Sequence, residues 1–118
     1  MTYQRLSNYL RTYRKRAHLT QKEVAFLVGS QTSANVCRHE QSQQSPNLHT
    51  LLAYEMLFRT PVRNLYGGTY DKVADKLMGR IHLLLRRLTR SCPSKANMAK
   101  MEVLNHILRE QESIPGRV

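Results

Sequence analysis

The chain has no tryptophan, only two cysteines, and only eight acidic residues among 118. Each shortage removes a class of function. Cys37 and Cys92 are too few for a disulfide framework and read as free thiols of a reducing compartment. The carboxylates are spread without a close pair suited to acid–base work. There is also no phosphate-binding glycine loop and no nucleophile motif of the GxSxG kind, so neither an enzyme nor a bound cofactor is expected. The histidines at 18, 39, 49, 82 and 106 are scattered with no CxxC or HxxxH spacing, so no metal is expected. The longest apolar runs, such as "VAFLV" at 24–28, are far too short to span a bilayer. The opening "MTYQRLSNYLRTYRKR" carries charge without a following apolar core, which is not the pattern of a secretory signal. The expected location is therefore the cytoplasm.

What the chain has in excess is positive charge. Nineteen Lys and Arg residues against eight Asp and Glu leave a net +11, a balance suited to a polyanionic partner. The excess is shared between the halves. Residues 1–66 carry nine basic and three acidic groups, and residues 67–118 carry ten and five. Charge alone does not separate DNA, RNA and acidic lipid, so the motifs must decide.

Helical periodicity recurs throughout, and no run alternates long enough to be a strand. Leu6, Tyr9, Leu10 and Tyr13 predict a first helix over about 3–17, with Arg5, Arg11, Lys15 and Arg16 on its other face. Thr20 and Glu23 have the spacing of a capping box. Val24, Leu27 and Val28 supply an apolar stripe and Gly29 a left-handed stop, predicting a helix over 20–28. A polar helix over about 33–41 should follow. Asn47 should cap a fourth helix whose Leu48, Leu51, Leu52 and Phe58 face inward. Thr60 should cap a short fifth helix with Pro61 at its first position. Gly67 and Gly68 should end it and divide the chain into domains 1–68 and 69–118.

Beyond that boundary, Val73, Leu77, Ile81, Leu84, Leu85 and Leu88 predict an amphipathic helix over 71–90, in which Gly79 marks close packing or a kink. "SCPS" at 91–94 is a turn. Met98, Met101, Leu104 and Leu108 predict a last helix ending near Glu112, followed by a frayed "SIPGRV". The expected fold is all-α: five helices, then a C-terminal helical hairpin.

Two short helices joined by a tight turn, the second polar and exposed, are the parts of a helix-turn-helix. Ala25 allows close approach, Gly29 tolerates positive φ, and Val36 pins the second helix from beneath. On "LTQKEVAFLVG", "VCRHE" and "SPNLHTLLAYEMLFRTPVRNLY", residues 6–66 resemble the phage repressor and Cro-like helix-turn-helix family, the XRE group. The resemblance covers about half of the chain. It implies a five-helix bundle that binds duplex DNA sequence-specifically, usually as a two-fold dimer on a palindromic operator.

Carried over by position, the resemblance implies that Arg14 and Glu40 form a largely buried ion pair. It places base reading on Ser33, Ala34 and Arg38, with Gln31, Thr32 and Asn35 close by. It places phosphate contacts on Gln21 and Lys22, on Gln41, Ser42, Gln43 and Ser45 in the following loop, and near Asn47. The side chains suit the task, since Arg can grip guanine and Asn or Gln can pair with adenine. There are three departures from the family pattern. The stretch from Gly29 to Glu40 is one residue longer than usual, His39 fills a slot more often aliphatic or aromatic, and Arg59 stands where a helix-ending Gly is frequent.

His39 reads as a packing residue, and Cys37 as an ordinary small helix residue. Arg80, Arg86, Arg87, Arg90, Lys95 and Lys100 form a basic run that is either a second nucleic-acid contact or the wet face of a helix whose leucines pack on another subunit; the second reading is favoured, which makes the C-terminal helices of 69–118 the expected dimerisation element. The expected partners are double-stranded DNA and a second copy of the chain, with no membrane. Two other readings stand beside this one. In the first, an antitoxin-like autoregulator binds a protein partner through its C-terminal helices. In the second, a sequence-indifferent basic protein binds any nucleic acid.

Overall fold

In the computed structural model, which describes residues 4–112, every regular element is a helix. The order is α1 (Leu10–Arg16), α2 (Gln21–Leu27), α3 (Ser33–Glu40), α4 (Leu48–Phe58), α5 (Val62–Leu65), α6 (Gly67–Arg90) and α7 (Lys95–Glu112). The chain divides into two compact units, residues 1–72 and 73–118. The divide falls inside α6 and not at the glycine pair. No helix among the described residues is long and apolar enough to cross a membrane.

The first four helices stop by one device. Each is followed by a residue in the left-handed region: His18 (φ 60°), Gly29 (φ 77°), Ser42 (φ 60°) and Arg59 (φ 52°). The residue after it donates its N–H five positions back: Leu19 to Arg14, Ser30 to Ala25, Gln43 to Arg38, and Thr60 to Glu55, at 2.8–3.2 Å. This is the Schellman closure, which satisfies carbonyls that a helix end would otherwise leave unpaired. Only Gly29 is a glycine. Arg59 adopts the left-handed backbone conformation that glycine takes most readily.

The helix starts are built as locally. Thr20 and Glu23 form the reciprocal capping box, with bonds of 3.0 and 2.9 Å. Asn47 Oδ1 accepts from the Thr50 N–H, 2.9 Å away, and caps α4. The start of α5 is shifted by one residue from expectation. Pro61 is its cap and Val62 its first residue, and the Val62 N–H donates 2.8 Å to Glu55 Oε1 on α4. Thr60 is buried, and its hydroxyl is turned back to the Phe58 carbonyl.

The core of the first unit is Leu10, Val24, Ala25, Val36, Tyr54 and Leu65, with Tyr13, Leu19, Val28, Leu57, Phe58 and Tyr66 packed against it. Several expected core positions lie outside. Leu27, Leu48 and Leu52 are exposed, because Ala25, Tyr54 and Leu57 take the inward positions of their helices. The Tyr66 hydroxyl is buried with no hydrogen-bond partner among the described residues, and burial pushes its pKa up to about 12.

The first helix is shorter than its periodicity predicts. Residues 5–9 are not helical, and Leu6 is 60% exposed. Their backbone is committed elsewhere. The Tyr9 N–H donates to the Leu65 carbonyl (2.7 Å), and the Leu6 and Ser7 carbonyls accept from Gly68 and Thr69 at the start of α6. Arg5 grips Asp71 through two bonds of 2.9 and 2.7 Å. The glycine pair therefore begins a helix where it was expected to end one. A Cβ on Gly68 would lie 2.6 Å from the carbonyl oxygens of Arg5 and Leu6, so the chain needs glycine there for close approach.

In the second unit, only Ala74 and Ile81 are buried among the described residues. The turn at 91–94 falls as expected, and Ser94 Oγ caps α7 by accepting from the Asn97 N–H. Val73, Leu77, Leu84 and Met98 are exposed and not core. Gly79 has nothing within 4 Å of an added Cβ, so it marks no close packing. The frayed end expected for 113–118 and the first residues of the expected first helix lie outside the described residues.

Candidate nucleic-acid interface

α2 and α3 pack directly on each other, and the turn between them shows where the extra residue goes. Gly29 donates to Phe26 and Ser30 to Ala25, which closes α2. Gln31 is then a link, Thr32 is the extended residue before α3, and the helix begins at Ser33. Ser30 Oγ donates 3.2 Å to the Thr32 carbonyl and accepts from Asn35 Nδ2 at the same distance, tying the turn to the first coil of α3.

Three anchors hold α3 from beneath. Val36 is buried in the core. His39 is buried, and its Nδ1 shares a 2.8 Å hydrogen bond with the Tyr54 hydroxyl, the rings meeting edge to face at 5.8 Å. Desolvation lowers the imidazole pKa and raises that of the Tyr54 phenol. Glu40 accepts two bonds from Arg14 (2.5 and 3.2 Å) and one from Gln21 Nε2 (3.0 Å). The Arg14 and Glu40 side chains are only 12% and 4% exposed. Arg14 also donates 3.0 Å to the Leu19 carbonyl, so its charge is spent inside the fold.

With Val36 and His39 turned inward, helical spacing of 100° per residue turns Ala34, Arg38 and Gln41 outward in one row, at i, i+4 and i+7. All three are exposed, as are Gln31, Thr32 and Ser33. Asn35 is half-buried on the flank, and its Oδ1 accepts 3.0 Å from Arg38 Nη1. That bond occupies one of the guanidinium's five donors and steadies the side chain while its other edges face outward. Cys37 is half-buried on the opposite flank. Among the described residues there is no cluster of three His, Cys, Asp or Glu able to hold a metal.

The expected phosphate ligands separate into two groups. Lys22, Gln41, Gln43 and Ser45 are exposed, Gln41 at the end of the row itself. Gln21, Ser42 and Asn47 have structural tasks: Gln21 holds Glu40, Ser42 Oγ is bonded by Asn8 Nδ2 at 2.8 Å, and Asn47 caps α4. Between α1 and the base of α3, an open depression of about 550 Å³ is lined by Arg11, Arg14, Leu19, Thr20, Gln21, Glu40 and Gln41.

Arg11, placed from sequence only on the charged face of the first helix, is exposed and lines the depression beside Arg14. One further residue of this region was not singled out from sequence. Asn8 is buried and binds the His39 and Glu40 carbonyls (3.0 and 3.4 Å) as well as Ser42 Oγ, and its own Oδ1 accepts from the Leu10 N–H. It closes the end of α3 and starts α1 at once. No pattern in the sequence marks it, because its partners are more than thirty residues away.

Comparison with family models, with curated proteins and with solved structures found no match to this chain.

Proposed function

We propose that the chain is a sequence-specific duplex-DNA-binding transcriptional regulator of prokaryotic or phage type, acting as a repressor, with α3 entering the major groove. The observation that carries this reading is the outward row of α3. Ala34, Arg38 and Gln41 stand on a helix whose other side is fixed by a core valine, a histidine–tyrosine bond and a buried ion pair. A short polar helix held this firmly, with its polar face left to solvent, suits the reading of base edges, since bidentate contacts need side chains fixed in register. The net charge of +11 supports the same reading by steering the chain to a polyanion.

A palindromic operator needs two copies, with their α3 helices about 34 Å apart. Uncovered apolar rows on which a second copy can pack are present, notably Leu48, Leu52 and Met56 at i, i+4 and i+8 of α4.

Selection from a random duplex library, followed by footprinting on the selected site, tests the reading. A discrete palindromic site is expected, with Arg38→Ala relaxing the preference at one base pair by roughly 1–3 kcal/mol. If Arg38→Ala weakens all sequences equally, the residue is a phosphate contact and base reading by this row is wrong. If selection yields no discrete site, the chain is a sequence-indifferent binder.

A further inference from the structure

We infer that α6 carries, separately from the DNA-reading face, a docking row for an amphipathic helix with acidic edges on a partner protein. This inference does not rest on the DNA-binding reading.

On the second unit's part of α6, Val73, Leu77 and Leu84 are 58%, 48% and 41% exposed. Their spacing, i, i+4 and i+11, aligns them in one row beside the covered face that holds Ala74 and Ile81. Lys76, Arg80 and Arg87 follow each of them by three residues, and all three are exposed. Turned by 300° per three residues, they form a second row parallel to the first along its solvent edge. No Asp or Glu occurs anywhere from 76 to 101. The apolar row is about 16 Å long, three turns of a facing helix. A complementary helix must place apolar side chains at the same spacing and carboxylates along one edge.

Charge and row width decide against an antiparallel second copy, a lipid surface and a nucleic acid. In an antiparallel two-fold pair of α6 helices, the axis stands perpendicular to the plane of the helices. Both basic rows then fall on the same side, so like charges meet. A lipid surface is met by a broad apolar face with aromatic anchors, whereas this row is one residue wide and residues 73–112 contain no Trp, Tyr or Phe. A nucleic acid would use the basic row but leave the apolar one uncovered.

The test uses the full chain and two peptides of residues 71–90. One has the native sequence, and the other carries Lys76→Glu, Arg80→Glu and Arg87→Glu. Binding is followed by fluorescence anisotropy. The full chain should bind the glutamate peptide at least about tenfold more tightly than the native one. The same three substitutions placed in the full chain should reverse that preference. Circular dichroism checks that the altered chain is folded, and Arg80→Glu alone, which should shrink the preference, keeps the test open if it is not. Equal affinity for both peptides overturns the proposal. So does preference for the native peptide, which would assign the row to a second copy. Binding to vesicles of anionic phospholipid that the three substitutions abolish, without discrimination between peptides, assigns it to a membrane. Operator footprinting with the altered chain reads the DNA-binding function independently.

Discussion

The two units of the chain meet the same problem, apolar faces on helices, with opposite results. In the first, six buried side chains from five helices close on one another, and each of the first four helices ends in a left-handed residue and a hydrogen bond five positions back. In the second, two longer helices bury only Ala74 and Ile81 among the described residues and leave leucine, valine and methionine side chains in solvent. Length of helix is therefore not what completes a core here. Short helices with fixed ends can be aimed at one centre from several directions, whereas long ones expose every face that no neighbour covers.

The difference is sharpest at the charged pairs. Arg14 and Glu40 are almost fully buried, while the His106–Glu110 pair of α7 is 62% and 68% exposed. Glu40→Ala leaves a buried guanidinium without its carboxylate and should cost about 3–5 kcal/mol. Glu110→Ala should stay within the roughly 0–1 kcal/mol of exposed pairs. Urea denaturation of the two variants measures both. A similar cost for each would remove the distinction between the units. On the proposed DNA-reading function, Glu40→Ala should also abolish operator binding, because the end of α3 loses its hold on α1 and on Gln21.

A second contrast lies within one helix. Gly68 and Gly79 both belong to α6, yet a Cβ on the first would sit 2.6 Å from two backbone carbonyl oxygens, and one on the second would meet nothing within 4 Å. Gly68→Ala should destabilise by roughly 1–3 kcal/mol, since the segment 5–9 must move away and the first N–H groups of α6 lose their acceptors. Gly79→Ala should stabilise by about 1 kcal/mol, the ordinary gain of alanine in an exposed helix interior. Thermal denaturation with opposite signs for the two substitutions is the expected result. Equal signs would mean that the close approach at Gly68 is not enforced.

The same glycines show how far the sequence could be read. Elements defined by near neighbours were legible. The capping box at Thr20–Glu23, the cap at Asn47, the stop at Gly29 and the limits of α3 all depend on residues within five positions, and the structure has them as expected. Elements defined across the chain were not. Gly67 and Gly68 look like a helix stop, and only the distant carbonyls of Arg5 and Leu6 show why a helix can start there. The apolar pattern at Leu6, Tyr9, Leu10 and Tyr13 is genuine helical spacing, but the backbone of residues 6–9 pairs with residues 65–69 and cannot also be helical. Among the site residues, Val36 was placed by spacing and Arg38 and Glu40 by the family resemblance, while Asn8 needed the fold. In the second unit the apolar pattern named the right helices and, with Ile81, Leu85, Leu88, Met101, Leu104 and Leu108, their more covered side, but Val73, Leu77, Leu84 and Met98 stay exposed, because a pattern does not say how many neighbours a helix has.

Arg59 offers a smaller effect that bears on the same point. Its backbone lies in the left-handed region (φ 52°, ψ 41°), where a side chain costs about 1–2 kcal/mol relative to glycine. Arg59→Gly should therefore raise the unfolding free energy by about 1 kcal/mol, with part of the gain offset by the greater freedom of glycine in the unfolded chain. No change in the denaturation midpoint would show that the arginine side chain makes up its strain by contacts of its own.

The last effect is one of pH. Burial holds the His39 imidazole below the ordinary value of 6.5, so the unfolded chain takes up a proton on this residue before the folded one does. Its contribution to stability is whole above pH 6.5, in the range where neither state is protonated, and is lost as the pH falls below that value. Between about pH 7 and pH 5 the unfolding free energy should therefore decline, and His39→Gln should flatten the decline, because an amide does not titrate. The substitution keeps a group able to bond the Tyr54 hydroxyl, so the slope and not the absolute stability is the reading that matters. A slope unchanged by His39→Gln would place the pH sensitivity elsewhere. It would also show that the underside of α3 admits a charge, which a helix held rigidly for base reading should not.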